Sequence, residues 1–302
     1  MANLKEIRGR IKTVKNIQQV TKAMKMVAAA KLRRAQDRML QLRPYASKLK
    51  EIIGNVTASV NVDDIPSKLV EVREVKNILF VVITSNRGLA GPFNTNLLKQ
   101  ANQFIKENHA KDLAEGKIQF LCIGRKGYDF YRKRKYNVNG KNFDVFGDLT
   151  FQAVNEVVDL IFEKFESGEV DKVYLAFNEF RNVMSQIRQV EQLLPLSVEG
   201  LGKGGEVAAD ADKYRSDYMF EPGREEILTE LIPKALRVQV FRAVLESNAS
   251  EHGARMIAMD SATTNAEDLL KGLKLSYNKA RQASITKEIL EIAAGADALA
   301  AQ

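Results

Sequence analysis

A short stretch near the C-terminus carries the side chains best suited to specific recognition. Residues 278–290 read NKARQASITKEIL, contain neither Gly nor Pro, and favour a helix. Small residues share one face of that helix at three- and four-residue spacing. Beside that face stand three polar side chains with directional hydrogen-bonding groups, namely Arg281, Gln282 and Thr286. This combination predicts a surface that another chain approaches closely and contacts through a few polar bonds.

The sequence contains no set of residues typical of an enzyme. A Ser/His/Asp arrangement is absent, and two His with one Cys argue against a Cys/His metal site. His252, beside Glu251 in a predicted helix, is interpreted as a packing or solvent position rather than a general base. Cys122 lies in the apolar run IQFLCIG and is interpreted as a buried small hydrophobe. We therefore expect no catalytic residue, no metal and no cofactor.

Two glycine-containing segments have some features of phosphate-binding loops. TSNRGLAGPFN, residues 84–94, follows a predicted strand and precedes a predicted helix, but its glycines are spaced G-x-x-G rather than G-x-G-x-x-G. GLGKGG, residues 200–205, lacks the Gly-Lys-Ser/Thr ending of a phosphate loop. We interpret the first segment as a tight strand-to-helix connection and the second as part of a flexible loop.

Positive charge is concentrated at the N-terminus. The net charge is +8, yet residues 1–50 hold 14 Lys and Arg against two acidic residues. This asymmetry predicts an acidic partner, which is a nucleic acid, a lipid surface or an acidic protein. Within MKMVAAAKLRRAQDRM the basic face comprises Lys25, Lys31, Arg33, Arg34 and Arg38. We favour a docking surface for acidic protein over a merely solvated helix face. RKGYDFYRKRK, residues 125–135, is compatible with nucleic-acid binding and equally with a helix that packs on a sheet.

No segment is typical of a membrane span or a secretory signal. The sequence has no run of about 18 apolar residues. Its first residues are charged and amphipathic, and they lack the apolar core of a signal peptide. They have some features of an organelle presequence, but the same pattern continues past residue 40. We therefore interpret this segment as mature structure.

Apolar periodicity divides the chain into a long helix, an α/β region and a longer helix. From about Asn3 to Ser59 apolar residues recur at three- and four-residue steps, and Pro44 predicts a bend. The apolar runs VKNILFVVIT, KIQFLCIG and DKVYLAFNEF alternate with helical patterns, which is typical of a parallel sheet, and IRQVEQLLPL could pair beside the third run. Helical periodicity returns near Pro222 and continues almost to the C-terminus, and Pro233 is a candidate position for a kink.

Helices this long do not bury an apolar stripe alone. We therefore predict an α/β protein in which the N- and C-terminal helices form a long antiparallel coiled coil, with a Rossmann-like α/β domain inserted. The predicted segments are 1–60 and 215–302 for the coiled coil, 70–200 for the α/β domain and 200–215 for the flexible loop. The C-terminal helix is longer than its partner by about 30 residues. Residues beyond about 272 are therefore expected to be covered by another chain.

Three long motifs resemble the gamma-subunit family of F-type ATP synthases, in its bacterial type. They are EIRGRIKTVKNIQQVTKAMKMVAAAKLRRAQ, SNRGLAGPFNTN, and SEHGARMIAMDSATTNAEDLL with LSYNKARQASITKEILEI, and they span both terminal helices and the middle domain. The resemblance implies a non-catalytic central rotor stalk whose coiled coil lies inside a ring of three alpha and three beta subunits. It also implies an α/β domain near the epsilon subunit and the c-ring. The implied location is peripheral, on the cytoplasmic side of the bacterial inner membrane.

The same resemblance implies a role for particular residues. Arg281, Gln282 and Thr286 match positions that touch the catch loops of the catalytic ring. Met24, Lys25 and Arg255 match positions of the mid-shaft contact with beta. The basic face that includes Lys31, Arg33 and Arg34 suits an acidic helix-turn-helix of beta. The loop at residues 202–214 corresponds to a region near epsilon and the c-ring.

Two other classes of protein fit parts of the sequence. One is a basic coiled-coil nucleic-acid-binding protein, which would bind DNA or RNA with a steep dependence on salt. The other is a nucleotide-dependent α/β enzyme with helical arms, which would bind a nucleotide through residues 70–200. Both leave the long C-terminal helix unexplained.

Overall fold

The computed structural model describes residues 4–57, 67–147, 149–196 and 223–300. The predicted flexible loop at 200–215 lies outside these residues. One long helix lies at each end of the described sequence, with a five-stranded sheet, four shorter α-helices and a short 3-10 helix (Asp144–Phe146) between them. The elements are α1 (Leu4–Thr57), β1 (Ile78–Ile83), α2 (Phe93–Asn108), α3 (Ala110–Ala114), β2 (Ile118–Ile123), α4 (Arg125–Lys133), β3 (Asn137–Asn142), α5 (Phe151–Glu166), β4 (Lys172–Phe180), β5 (Gln186–Leu194) and α6 (Arg224–Ala300). No described helix is long and apolar enough to cross a membrane.

The sheet has the strand order β3-β2-β1-β4-β5. Strands β1 to β4 pair in parallel, and β5 pairs antiparallel to β4. The central strand β1 reads ILFVVI and is buried along its whole length. A parallel strand covered by helices on both faces needs apolar side chains in both directions, which explains the unbroken apolar run. The α/β fold with long terminal helices and a parallel sheet is therefore confirmed.

Successive side chains of β1 enter two different cores because they alternate between the faces of the sheet. Leu79, Val81 and Ile83 pack in a core that includes α5 and the first part of α6. Ile78, Phe80 and Val82 pack in a second core against α2. In that second core the Phe80 ring stacks on Tyr174 of β4, with ring centroids 5.0 Å apart.

The chain forms two compact units, residues 1–29 with 255–302 and residues 30–254. In the first unit, α1 and α6 run antiparallel and are joined by four polar contacts. These are Arg8 to Tyr277 at 2.9 Å, Gln18 to Glu267 at 2.9 Å, Thr21 to Thr263 at 2.8 Å and Lys25 to Asp260 at 2.6 Å. Between successive contacts, the number of residues passed along α1 equals the number passed in the opposite direction along α6, within one residue. The register is therefore constant, and extending it places residue 281 opposite Leu4.

In the second unit, the same two helices are joined by apolar contacts. Leu49 and Ile53 of α1 pack against Val238 of α6, with Leu42, Ala46, Leu231 and Ala235 at the edges. Pro44 and Pro233 lie within α1 and α6, and both helices continue through them. The apolar stripe of this part of α1 is thus buried against α6, as the helical periodicity predicts.

Candidate partner-binding surfaces

The segment TSNRGLAGPFN lies at the carboxyl end of β1, between the ends of β2 and β4. The sheet reverses its winding direction between β1 and β4, which is where open α/β folds bind ligands. In this structure α6 occupies that place. Ala254 packs against Ala90 and Phe93 of the segment, and a Cβ on Gly253 would lie 3.5 Å from the carbonyl oxygen of Val183. The crevice is thus filled by the chain itself.

The segment also accepts hydrogen bonds from the backbone amides at the start of α4, which an anion would need as donors. The amides of Arg125, Lys126 and Gly127 open α4, where a helix can bind phosphate. They donate instead to the Asn86 side-chain oxygen at 3.0 Å, to the Ser85 carbonyl at 3.1 Å and to the Thr84 hydroxyl at 2.8 Å. These bonds tie the end of β1 to the start of α4. They support the interpretation of this segment as a structural connection.

Thr84 is expected to stabilise this connection measurably. Its buried hydroxyl accepts from the Gly127 amide and donates to the Gly124 carbonyl at 3.3 Å. Thr84→Val keeps the shape of the side chain but leaves the buried amide without its acceptor, so the free energy of unfolding should fall by about 1–3 kcal/mol. Chemical denaturation measures this. Thr13→Val, at an exposed position of α1, is the control and should change it by less than about 0.5 kcal/mol. Equal effects of the two substitutions would contradict this role.

The aromatic side chains of RKGYDFYRKRK are engaged in packing. Tyr131 is fully buried and stacks on Phe120 of β2, with ring centroids 3.9 Å apart. The Arg134 guanidinium lies 3.6 Å from the centroid of the Phe130 ring. Nucleic-acid binding of the stacking type needs exposed aromatic faces. This helix therefore fits the interpretation of a basic-faced helix that packs on a sheet.

The basic side chains predicted to dock an acidic partner lie at the surface of α1. Lys31, Arg33 and Arg34 are exposed, and they belong to the unit formed by residues 30–254. Met24 and Lys25 belong to the other unit. Met24 is exposed, and Lys25 makes the ion pair with Asp260 described above. Ion pairs of this exposure contribute little to stability, so Lys25 can exchange this contact for another at small cost.

The end of α6 presents apolar side chains to solvent. Beyond residue 281 the register places no further described residue of α1 opposite α6. There the exposed fractions are 48% for Ile285, 60% for Ile289 and 73% for Ile292. Arg281, Gln282 and Thr286 are exposed on the same stretch. We expected α6 to lose its partner helix beyond about residue 272. The pairing continues for roughly one heptad more, since Arg8 still bonds Tyr277.

Proteins of one known family match this sequence along nearly its whole length. Residues 3–299 match the family model described as ATP synthase. The ATP synthase gamma chain of Chloroherpeton thalassium is 51% identical over 301 residues, which is 99% of each chain. That of Cytophaga hutchinsonii is 49% identical over 299 residues, again 99% of each chain. The chain belongs to the ATP synthase gamma-chain family.

A solved structure shares the fold of this gamma-family chain. The match is to a cryo-EM structure of the Euglena gracilis mitochondrial ATP synthase, containing OSCP, F1 and the c-ring in rotational state 3. It has a TM-score of 0.65 at 21% identity and covers 98% of this chain and 94% of that chain. The resemblance carried by the three sequence motifs is confirmed. Nothing in these comparisons supports a nucleic-acid-binding protein.

The nine residues predicted to contact partners fall into three places in this gamma-family chain. Lys31, Arg33 and Arg34 lie in the unit formed by residues 30–254. The other six lie in the unit formed by the chain ends, with Met24, Lys25 and Arg255 along the helix pair and Arg281, Gln282 and Thr286 where α6 reaches and passes the first described residue of α1. The Arg8–Tyr277 bond, which fixes where the unpaired end begins, was not predicted. Arg8 also lowers the pKa of the Tyr277 hydroxyl through this hydrogen bond. The sequence gives no signal for this pair, because several Arg side chains recur along α1 and nothing local shows which of them lies opposite Tyr277.

Proposed function

We propose that this chain is the central rotor stalk subunit of an F-type proton-translocating ATP synthase. In this role it couples rotation of the c-ring, driven by proton flow, to conformational change at catalytic sites formed by alpha and beta subunits, and it is not itself catalytic. The observation that carries the proposal is the end of α6, where exposed isoleucines continue beyond the first described residues of α1. An exposed apolar helix end of this length is the mark of an interface with other chains.

The proposed partners are three alpha and three beta subunits, the epsilon subunit and the c-ring. One solved structure of similar fold is the central stalk and c-ring of the Tetrahymena thermophila mitochondrial ATP synthase. The corresponding location for this chain is peripheral, on the cytoplasmic side of a bacterial inner membrane. Residues 1–60 and 215–302 would form the rotor shaft and residues 70–200 the α/β domain. The segment 200–215 would be a flexible loop directed towards epsilon and the c-ring.

The proposed contacts are of two physical kinds. Arg281, Gln282 and Thr286 would make hydrogen bonds to the inner surface of the alpha/beta ring. Met24, Lys25 and Arg255 would contact beta at mid-shaft, and the exposed Lys31, Arg33 and Arg34 would face acidic side chains of beta. An asymmetric shaft presents a different set of these groups to each of three identical sites. Only such differential interaction shifts the conformational equilibrium of each site.

The coupling that results is reciprocal. If the angle of the shaft changes the nucleotide affinity of a site, occupancy of that site changes the preferred angle by the same free energy. Polar contacts suit this task because a charge-assisted hydrogen bond contributes only about 1.5–3 kcal/mol net. Such contacts hold one orientation and still release it.

Co-purification tests the proposed function. The chain is tagged within its own cell, membranes are solubilised, and the proteins that accompany the tag are quantified. We expect alpha and beta subunits in equal amounts, each about three per chain, together with epsilon and the c-ring subunit. A preparation at high salt distinguishes contacts of the basic face from contacts of the apolar end of α6, since salt weakens the charged contacts more than the apolar ones. Recovery of the chain without alpha and beta, or with nucleic acid alone, would overturn the proposal.

A further inference from the structure

A largely buried carboxyl group on α6 faces carboxylates of the ribbon formed by β4 and β5. The side chain of Glu246 is 13% exposed, and its Oε2 atom has no hydrogen-bond partner among the described residues. Its Oε1 atom lies 3.7 Å from Nε of Arg242, one helical turn earlier, and that Nε atom is likewise without a hydrogen bond there. The carboxyl group has therefore left water without gaining a full set of partners. This arrangement disfavours its ionised form.

Charged groups on three other elements also face Glu246. Glu179 of β4 and Glu191 of β5 repel its negative charge, and Arg43 of α1, like Arg242 on α6, favours it. Burial above all, with help from the two carboxylates, raises the pKa of Glu246 from its ordinary value of 4.5 to about 7. The group thus changes its charge in the range of pH found inside cells.

The position of Glu246 links it to the packing of the ribbon. Earlier on α6, Gln239 donates to the Glu191 carboxylate at 3.3 Å. Later on α6, Gly253 lies against Val183 in the turn between β4 and β5 and against Phe180 at the end of β4. Glu246 stands between these two contacts on the same helix. Ionisation there places a third negative charge beside the two carboxylates that the ribbon contributes.

We propose that Glu246 is a proton-controlled latch between α6 and the β4–β5 ribbon. With the carboxyl group protonated, the ribbon packs on α6 without charge repulsion. When the carboxyl group releases its proton to water, Glu179 and Glu191 repel it, and the ribbon opens from α6 more often. The latch is a property of the folded chain and does not depend on the rotor role.

Hydrogen exchange of the full-length chain tests the latch. Backbone amides of residues 179–191 report opening of the ribbon. Protection is compared at about pH 6 and about pH 8 after correction for the intrinsic dependence of exchange on pH. Since opening lets Glu246 return to its ordinary pKa, the opening constant should rise by up to about tenfold over this interval. In Glu246→Gln the side chain cannot ionise, so protection should stay high and independent of pH.

Two further variants make the test specific. Glu230→Gln removes an exposed carboxylate from the same helix and should behave like the unaltered chain. Glu179→Gln removes one repelling charge but keeps the acceptor for Gln189, which bonds Glu179 at 2.9 Å. It should make the rise of the opening constant between about pH 6 and about pH 8 smaller, because the pKa of Glu246 falls towards its ordinary value. Protection that does not change with pH in the unaltered chain, or that changes equally in Glu246→Gln, would overturn the latch.

Discussion

Replacement of Gly124 by Ala is expected to lower the free energy of unfolding by about 3–5 kcal/mol. Gly124 connects β2 to α4 with φ at 110°, a conformation that side chains with a Cβ rarely adopt. A Cβ at this position would lie 1.9 Å from the carbonyl oxygen of Thr84 and 2.7 Å from its carbonyl carbon. The obstructing atoms are backbone, so no rotamer change relieves the clash. The end of β1 and the start of α4 would have to separate.

A second glycine distinguishes the cost of a positive φ from the cost of a steric clash. Gly116 also has a positive φ, at 72°, but nothing lies within 4 Å of where its Cβ would stand. Gly116→Ala should therefore cost only about 1–2 kcal/mol, from backbone conformation alone. Denaturant unfolding of both variants, followed by far-ultraviolet circular dichroism, measures the difference. Similar losses in the two variants would show that the close approach of Gly124 to Thr84 is not what restrains this turn.

The elements that sequence predicts best are those whose pattern is continuous. The run around ILFVVI predicts β1 because a strand buried on both faces needs apolar side chains in both directions. Strand β3 was not predicted. Its sequence, NVNGKN, has one apolar side chain and a glycine, and it forms because its backbone pairs with β2 at the edge of the sheet. Strands of this kind are defined by their neighbours, which local sequence does not reveal.

The candidate surfaces divide in the same way. The exposed end of α6 could be predicted from helix lengths, and its first unpaired residue was misplaced only because the register is set by single contacts such as Arg8 to Tyr277. The environment of Glu246 could not be predicted. Its neighbours come from the β4–β5 ribbon, which contributes Glu179 and Glu191, and from α1, which contributes Arg43, and only the fold brings them to α6. Periodicity predicts which face of a helix is buried but not which charges meet there.

Replacement of Arg281 and Gln282 together by Ala is expected to reduce proton-coupled ATP synthesis by about tenfold or more. Both side chains are exposed where α6 reaches the first described residue of α1 and continues past it. If they bond the alpha/beta ring as proposed, their removal deletes donors that favour one conformation of a site over another. A single charge-assisted bond contributes about 1.5–3 kcal/mol, and about 1.4 kcal/mol corresponds to a factor of ten. Synthesis is measured in membrane vesicles energised by a proton gradient.

Reciprocity gives this experiment an internal check. If the two side chains couple shaft angle to site occupancy, the double variant should lose ATP-driven proton pumping as well as synthesis, while ATP hydrolysis falls less. Lys279→Ala is the matched control, since it removes a positive charge about 200° around the same helix from Arg281. Unchanged synthesis in the double variant, or an equal loss in Lys279→Ala, would show that Arg281 and Gln282 do not make the contact that couples α6 to the alpha/beta ring. A loss of synthesis with full proton pumping would contradict equilibrium coupling at this contact.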